Sequence, residues 1–157
     1  MVFNYKIPLF LIFIIMKSSS LHPLVEKFFT EYEKNIQSNG PQYVASQYAN
    51  SIMIAMPKGV YAFKNEEFVK MLPNRKDFFD KTGLQSSNIV SVEEIDHDEN
   101  YFLIKVIWNF KFKQKTHYFE VKNSATYVLR KNGDSLHIIF QLDHEDLMEK
   151  ASNHNFA

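Results

Sequence analysis

The sequence predicts a cone-shaped α+β domain with the element order α-α-β-β-α-β-β-β-β. Three observations predict it. Apolar residues recur at helical spacing early in the chain, they alternate with polar ones from about Asn88 onward, and turn signals separate the extended runs.

Leu21, Val25, Phe28, Tyr32 and Ile36 mark one face of a first helix, with Pro23 in its first turn and Asn39-Gly40-Pro41 ending it. A second short helix is expected from Pro41 to about Ala49, with Tyr43, Val44 and Tyr48 as its apolar side. Ser51 to Met56 and Val60 to Phe63 read as strands joined by Pro57-Lys58-Gly59. Asn65 is expected to cap a third helix carrying Phe68 and Leu72, which Pro73 interrupts before a further turn from Arg75 to Lys81. Then come four strands, Ile89 to Asp96, Tyr101 to Lys113, His117 to Arg130 and Leu136 to Leu142. Asn132-Gly133 supplies the strongest hairpin signal. In the second of these strands Phe102, Ile104, Val106, Trp108, Phe110 and Phe112 share one side, and Lys105, Asn109, Lys111 and Lys113 the other. An antiparallel sheet buried on one face accounts for that alternation. Asp143 to Lys150 is expected to add a last helical turn, with a flexible tail over residues 151–157.

The 157 residues suit one domain, placed at 21–150. Fifteen Phe and eight Tyr suggest a core, or a concave pocket, built from rings. Eighteen basic and eighteen acidic residues cancel, so no overall field attracts nucleic acid or an anionic membrane. The absence of cysteine excludes disulfides, thiolate catalysis and Cys-ligated zinc. Residues 1–20 stand apart, because Ile7 to Met16 is an unbroken apolar run too short to span a bilayer as a helix. A start at Met16 would leave a cytoplasmic protein. A signal peptide, with Ser18 and Ser20 before its cleavage point, would make it an exported one.

The element order resembles the nuclear transport factor 2-like superfamily, including SnoaL-like proteins, over residues 21 to about 150. The resemblance rests on the Leu21–Ile36 helix, the Pro57-Lys58-Gly59 hairpin, the helix after Asn65, and the strands around Trp108 and Asn132-Gly133. It implies a strongly curved antiparallel sheet wrapped around the N-terminal helices, an apolar pocket inside the cone, and a homodimer formed through the outer sheet face. Members of the superfamily include isomerases, dehydratases and cyclases, and others that only bind a ligand or partner, so fold leaves function open.

Tyr32, Tyr48 and Trp108 are the rings expected to reach an interior cavity, each with an apolar body and one polar tip. Ordinary core packing is the competing reading. Gln141 and Asp143 are polar pocket candidates if their side of the last strand faces inward, a parity that alternation alone leaves open. His137 and Ile139 fall on the same side by strict alternation. Asp143 is also the weak candidate for a catalytic base, with a tyrosine as hydrogen-bond donor. Against that role, Asp143-His144-Glu145-Asp146 reads as a helix start capped by Asp143. Asp96-His97-Asp98-Glu99 reads as turn chemistry, not a metal site. Lys105, Lys111, Lys113, Lys115 and Lys122 form a basic stripe, but in the second long strand the rings lie opposite the lysines, unlike an RNA-binding sheet. No cofactor, metal, nucleic acid or membrane span is expected. The function that follows is binding of a small apolar ligand, or a dimeric scaffold role. The alternative is a cofactor-independent isomerase or dehydratase abstracting a proton next to a carbonyl.

Overall fold

The computed structural model describes residues 20–38 and 40–154. The apolar segment before Ser20, Asn39 of the expected helix stop, and the last three residues lie outside the described residues. The elements are α1 (Pro23–Ser38), α2 (Pro41–Ser46), β1 (Tyr48–Met56), β2 (Gly59–Lys64), α3 (Asn65–Thr82), β3 (Leu84–His97), β4 (Tyr101–Gln114), β5 (His117–Asn132), β6 (Ser135–Asp143) and α4 (Leu147–Asn153). This is the predicted order, and the last helical turn expected from Asp143 to Lys150 is found as α4, four residues later. Ala151 is fully buried within α4, beyond the expected domain edge.

The six strands form one sheet in the order β2-β1-β6-β5-β4-β3. Neighbours run antiparallel except β1 and β6, which run parallel. The long β3–β4–β5 meander carries three register shifts between β3 and β4, and such irregularities increase local twist and bend a sheet. The sheet curves over α1, which buries Val25, Phe28, Phe29 and Tyr32 at helical spacing. Opposite them β4 buries the full predicted set from Phe102 to Phe112. Fully burying an apolar side chain of that size contributes about 1.5–3 kcal/mol.

Four local expectations are corrected. α2 ends at Ser46, and Tyr48 opens β1, so its ring reaches the core from a strand. Asn65 is the first residue of α3, not its cap: Glu67 Oε2 accepts from the Lys64 N–H at 2.8 Å. The Asn65 amide instead donates to the carbonyls of Ala45, Tyr48 and Ala49. α3 runs unbroken through Pro73, which is exposed, so the carbonyl it leaves without a donor can take water. Asp143 ends β6, and the cap of α4 is Asp146, whose Oδ1 accepts from the Glu149 N–H at 2.9 Å.

Turn chemistry accounts for the β3–β4 connection. Asp98 Oδ1 accepts from the N–H groups of Asn100 and Tyr101, both at 2.7 Å, which holds its carboxyl below the ordinary value. The β5–β6 hairpin turns on Gly133-Asp134, one residue later than the Asn-Gly pair suggested, with Gly133 at φ 61°. A positive φ at the first position of a two-residue loop suits the twist of the strands it joins.

Candidate functional site

The last strand holds the feature that decides the site. Val128 pairs with Phe140 and Leu129 with Ile138, so Ile139 is an extra residue that β5 does not match. Alternation is therefore reset at Ile139. Ile138 is buried in the core before the bulge, and Gln141 faces inward after it, paired with the buried Tyr127. Asp143, two residues on, shares the inner side and pairs with the buried Ala125. His137, paired with Arg130, points away.

Gln141 and Asp143 complete a chain of side-chain hydrogen bonds that begins on α1. The Tyr32 and Tyr48 hydroxyls lie 2.6 Å apart, and Tyr48 donates to Gln141 Oε1 at 2.6 Å. Tyr48 has one hydroxyl proton, so Tyr32 donates to Tyr48. Gln141 Nε2 then donates to Asp143 Oδ1 at 2.7 Å. Every donor points towards the carboxylate. Beside this chain, Trp108 Nε1 donates to the Tyr127 hydroxyl at 3.2 Å, and the Tyr127 ring packs edge-on against Tyr32 at 6.0 Å. The structure thus joins four of the five sequence candidates and places Trp108 in contact with Tyr32 at 5.9 Å.

The electrostatics follow from burial. Tyr32, Tyr48 and Tyr127 are pushed well above the ordinary phenol value, chiefly because their anions would lie in the dry core. They remain neutral donors. Burial also raises the Asp143 carboxyl, while the Gln141 amide and then the charges of Arg75 and His144 pull it back. Arg75 lies on α3 with its guanidinium 5.0 Å from the Phe79 ring centroid. Among the described residues it makes no ion pair with Asp143.

Sequence reasoning missed three participants. Arg75 and Tyr127 belonged to expected elements but carried no motif. Asn123, on the inner side of β5 two residues from Ala125, is buried, and its Oδ1 has no hydrogen-bond partner. A buried acceptor left unpaired costs about 1–3 kcal/mol, so it marks a place suited to a donor from outside the chain. Nothing in a one-residue pattern singles out such an atom.

The remaining acidic run is divided among structural tasks. Glu145 Oε2 accepts from the Ser124 N–H at 2.9 Å, and Asp146 also pairs with Lys58 at 2.8 Å. These bonds fasten α4, with Leu147 and Ala151 buried, to the sheet and to the β1–β2 turn. The inner face itself is filled by rings from Phe28, Phe29, Tyr32, Tyr48, Trp108 and Tyr127, and a mainly polar cleft of about 620 Å³ opens beside Tyr48.

Tyr48→Phe removes the donor to Gln141 and the acceptor of Tyr32 together. It is expected to lower unfolding stability by about 1–3 kcal/mol. Chemical denaturation checks this, with an unchanged m-value showing that the fold is kept.

No protein-family model matches the sequence, and no curated protein matches it. Solved structures match well. Aln2 from a Streptomyces species superposes with a TM-score of 0.66 at 10% identity, covering 82% of this chain and 93% of that one. A nuclear transport factor 2-like protein from Cytophaga hutchinsonii gives 0.59 at 11% identity, with 78% and 95% covered. A ketosteroid isomerase-like protein from Erwinia carotovora atroseptica gives 0.57 at 10% identity, with 77% and 92% covered. The chain therefore carries the nuclear transport factor 2-like fold over most of its length. Among the described residues no helix is long and apolar enough to cross a membrane.

Proposed function

We propose that the protein binds a small, mainly apolar molecule bearing one hydrogen-bonding group, held at the inner side of the sheet between Asp143, Asn123 and Arg75. The observation that carries this reading is the directed chain Tyr32–Tyr48–Gln141–Asp143, which ends on a half-buried carboxylate. Packed rings would contact the apolar body, and Asn123 Oδ1 offers an acceptor that nothing in the chain uses. A buried acceptor left unpaired costs stability, and a ligand donor would satisfy the Asn123 oxygen beside the chain.

The protein acts as a homodimer in this reading. Leu103, Val128, Phe140 and Met53 form one row across the outer faces of β4, β5, β6 and β1, and Leu142 adjoins it. Met53 is 44% exposed. A second copy bringing the same row would bury it around a twofold axis.

Native mass spectrometry after gentle purification tests both parts. The expected result is a dimer carrying extra small-molecule mass, with Phe140→Glu giving monomer. A monomeric parent chain would remove the dimer. An apo-protein that takes up no hydrophobic probe would remove the ligand site.

A second reading has its own support. Asp143 is a carboxylate whose burial raises its proton affinity, linked through Gln141 to the neutral phenols of Tyr48 and Tyr32, an arrangement suited to proton abstraction beside a carbonyl. One of the similar folds is a ketosteroid isomerase-like protein. As a cofactor-independent isomerase or dehydratase, the protein would use Asp143 as base. Asp143→Asn would then lower turnover about 100- to 10,000-fold while leaving the fold intact.

A further inference from the structure

A cleft of about 620 Å³ opens where β1 parts from β6, and of the residues in the inner hydrogen-bonded chain it is lined by Tyr48. Tyr48 pairs with Ile138 and Met53 with Phe140, so four residues of β1 face one residue of β6. The cause is Asn65. Its amide draws the carbonyls of Ala45, Tyr48 and Ala49 towards the start of α3, and β1 cannot follow β6 through that corner. The resulting opening is walled by the β5–β6 hairpin.

Its chemistry is one-sided. Arg130, Lys131 and His137 line it, and among the described residues no carboxylate does. Arg130 and His137 are cross-strand partners, so their side chains leave the sheet on the same face. Among the described residues neither Arg130 nor Lys131 makes an ion pair. Ser51, Asn50 and Asn132 add neutral donors, and Lys64 reaches Ser51 Oγ at 3.1 Å from the side. In a chain whose charges cancel overall, a cationic and a potentially cationic group leave the sheet together at one concave site, while Lys131, paired with the buried Leu136, alternates to the other face. An arginine fork with flanking hydroxyl and amide donors matches the geometry of a tetrahedral oxyanion. The volume exceeds that of the anion alone and falls in the range of small-molecule sites.

We propose that this cleft is a second binding site, taking a phosphorylated small molecule with a polar body, its phosphate set between Arg130 and His137. Apart from Tyr48, it shares no residue with the site proposed for the inner face.

The test is an amide NMR titration of the full chain at fixed ionic strength, using ribose 5-phosphate, inorganic phosphate and ribose as probes. Ribose 5-phosphate is expected to shift Ser51, Arg130 and His137 saturably, inorganic phosphate to do so more weakly, and ribose to do nothing. Arg130→Gln should weaken ribose 5-phosphate binding about 10-fold or more, as loss of a charge-assisted hydrogen bond does. Arg130 is exposed, so the variant should keep a dispersed spectrum; if it does not, His137→Gln carries the same expectation. Linear, unsaturated shifts, or equal binding by the parent and the variant, would overturn the site.

Discussion

Gly83→Val is expected to destabilise the protein by roughly 2–5 kcal/mol, a large part of a typical domain's stability. Gly83 ends α3 in the left-handed region at φ 88°, where its N–H bonds the carbonyls of Asp80 and Phe79. A side chain there suffers twice. The backbone conformation strains any residue with a Cβ, and a branched one most. The added Cβ would also collide with the Lys113 carbonyl oxygen on β4. That approach is fixed, because the Lys113 N–H donates to the Gly83 carbonyl at 2.8 Å. Gly133→Val is the matched control. Its φ is also positive, at 61°, but nothing lies within 4 Å of its added Cβ. It should cost only the conformational strain, about 1–2 kcal/mol. Thermal melts of the two variants separate strain from collision. Equal losses would show that the α3–β4 junction yields to a side chain.

The same junction shows why the element order was readable while the site was not. Helical and twofold periods are repeated many times in α1 and β4, so single exceptions do not obscure them. Tyr48 occupies one position, and a periodic helix pattern extended naturally across Gln47 into the strand that begins there. Asn65 was read as a cap because its residue type suits one. Its amide instead found three carbonyls from α2 and β1, more than fifteen residues away, a tertiary choice invisible to local pattern. The sharpest case is β6. Strict alternation puts His137, Ile139, Gln141 and Asp143 together, and one unmatched residue at Ile139 separates His137 from Gln141 and Asp143. Sequence reasoning named Gln141 and Asp143, which the structure joins by a hydrogen bond, but could not aim them. It also took Asp143 as the cap of the helix after β6, whereas the cap falls to Asp146. Asn123 and Arg75 enter only through the space around them.

Asp143→Asn is expected to raise stability at neutral pH while removing function. Burial is the largest influence on this carboxyl and holds its pKa above the ordinary value of 3.8. Between that value and the raised native one, the folded chain binds more protons than the unfolded chain. Stability therefore falls as pH rises through this window, and the loss is complete above it. Asparagine keeps an acceptor for Gln141 Nε2 and brings no charge into the core. The variant should melt higher than the parent at neutral pH, and the gain should shrink as pH falls towards 3.8. If Asp143 is the base, turnover should fall about 100- to 10,000-fold in the same variant. Such a residue is stabilising to lose and costly to function, the pattern of a site kept under strain for its chemistry. The opposite melt result would be equally clear. A variant less stable at neutral pH would mean that Arg75 and Gln141 more than offset burial, making Asp143 a structural anion and leaving the relay to hold the fold together.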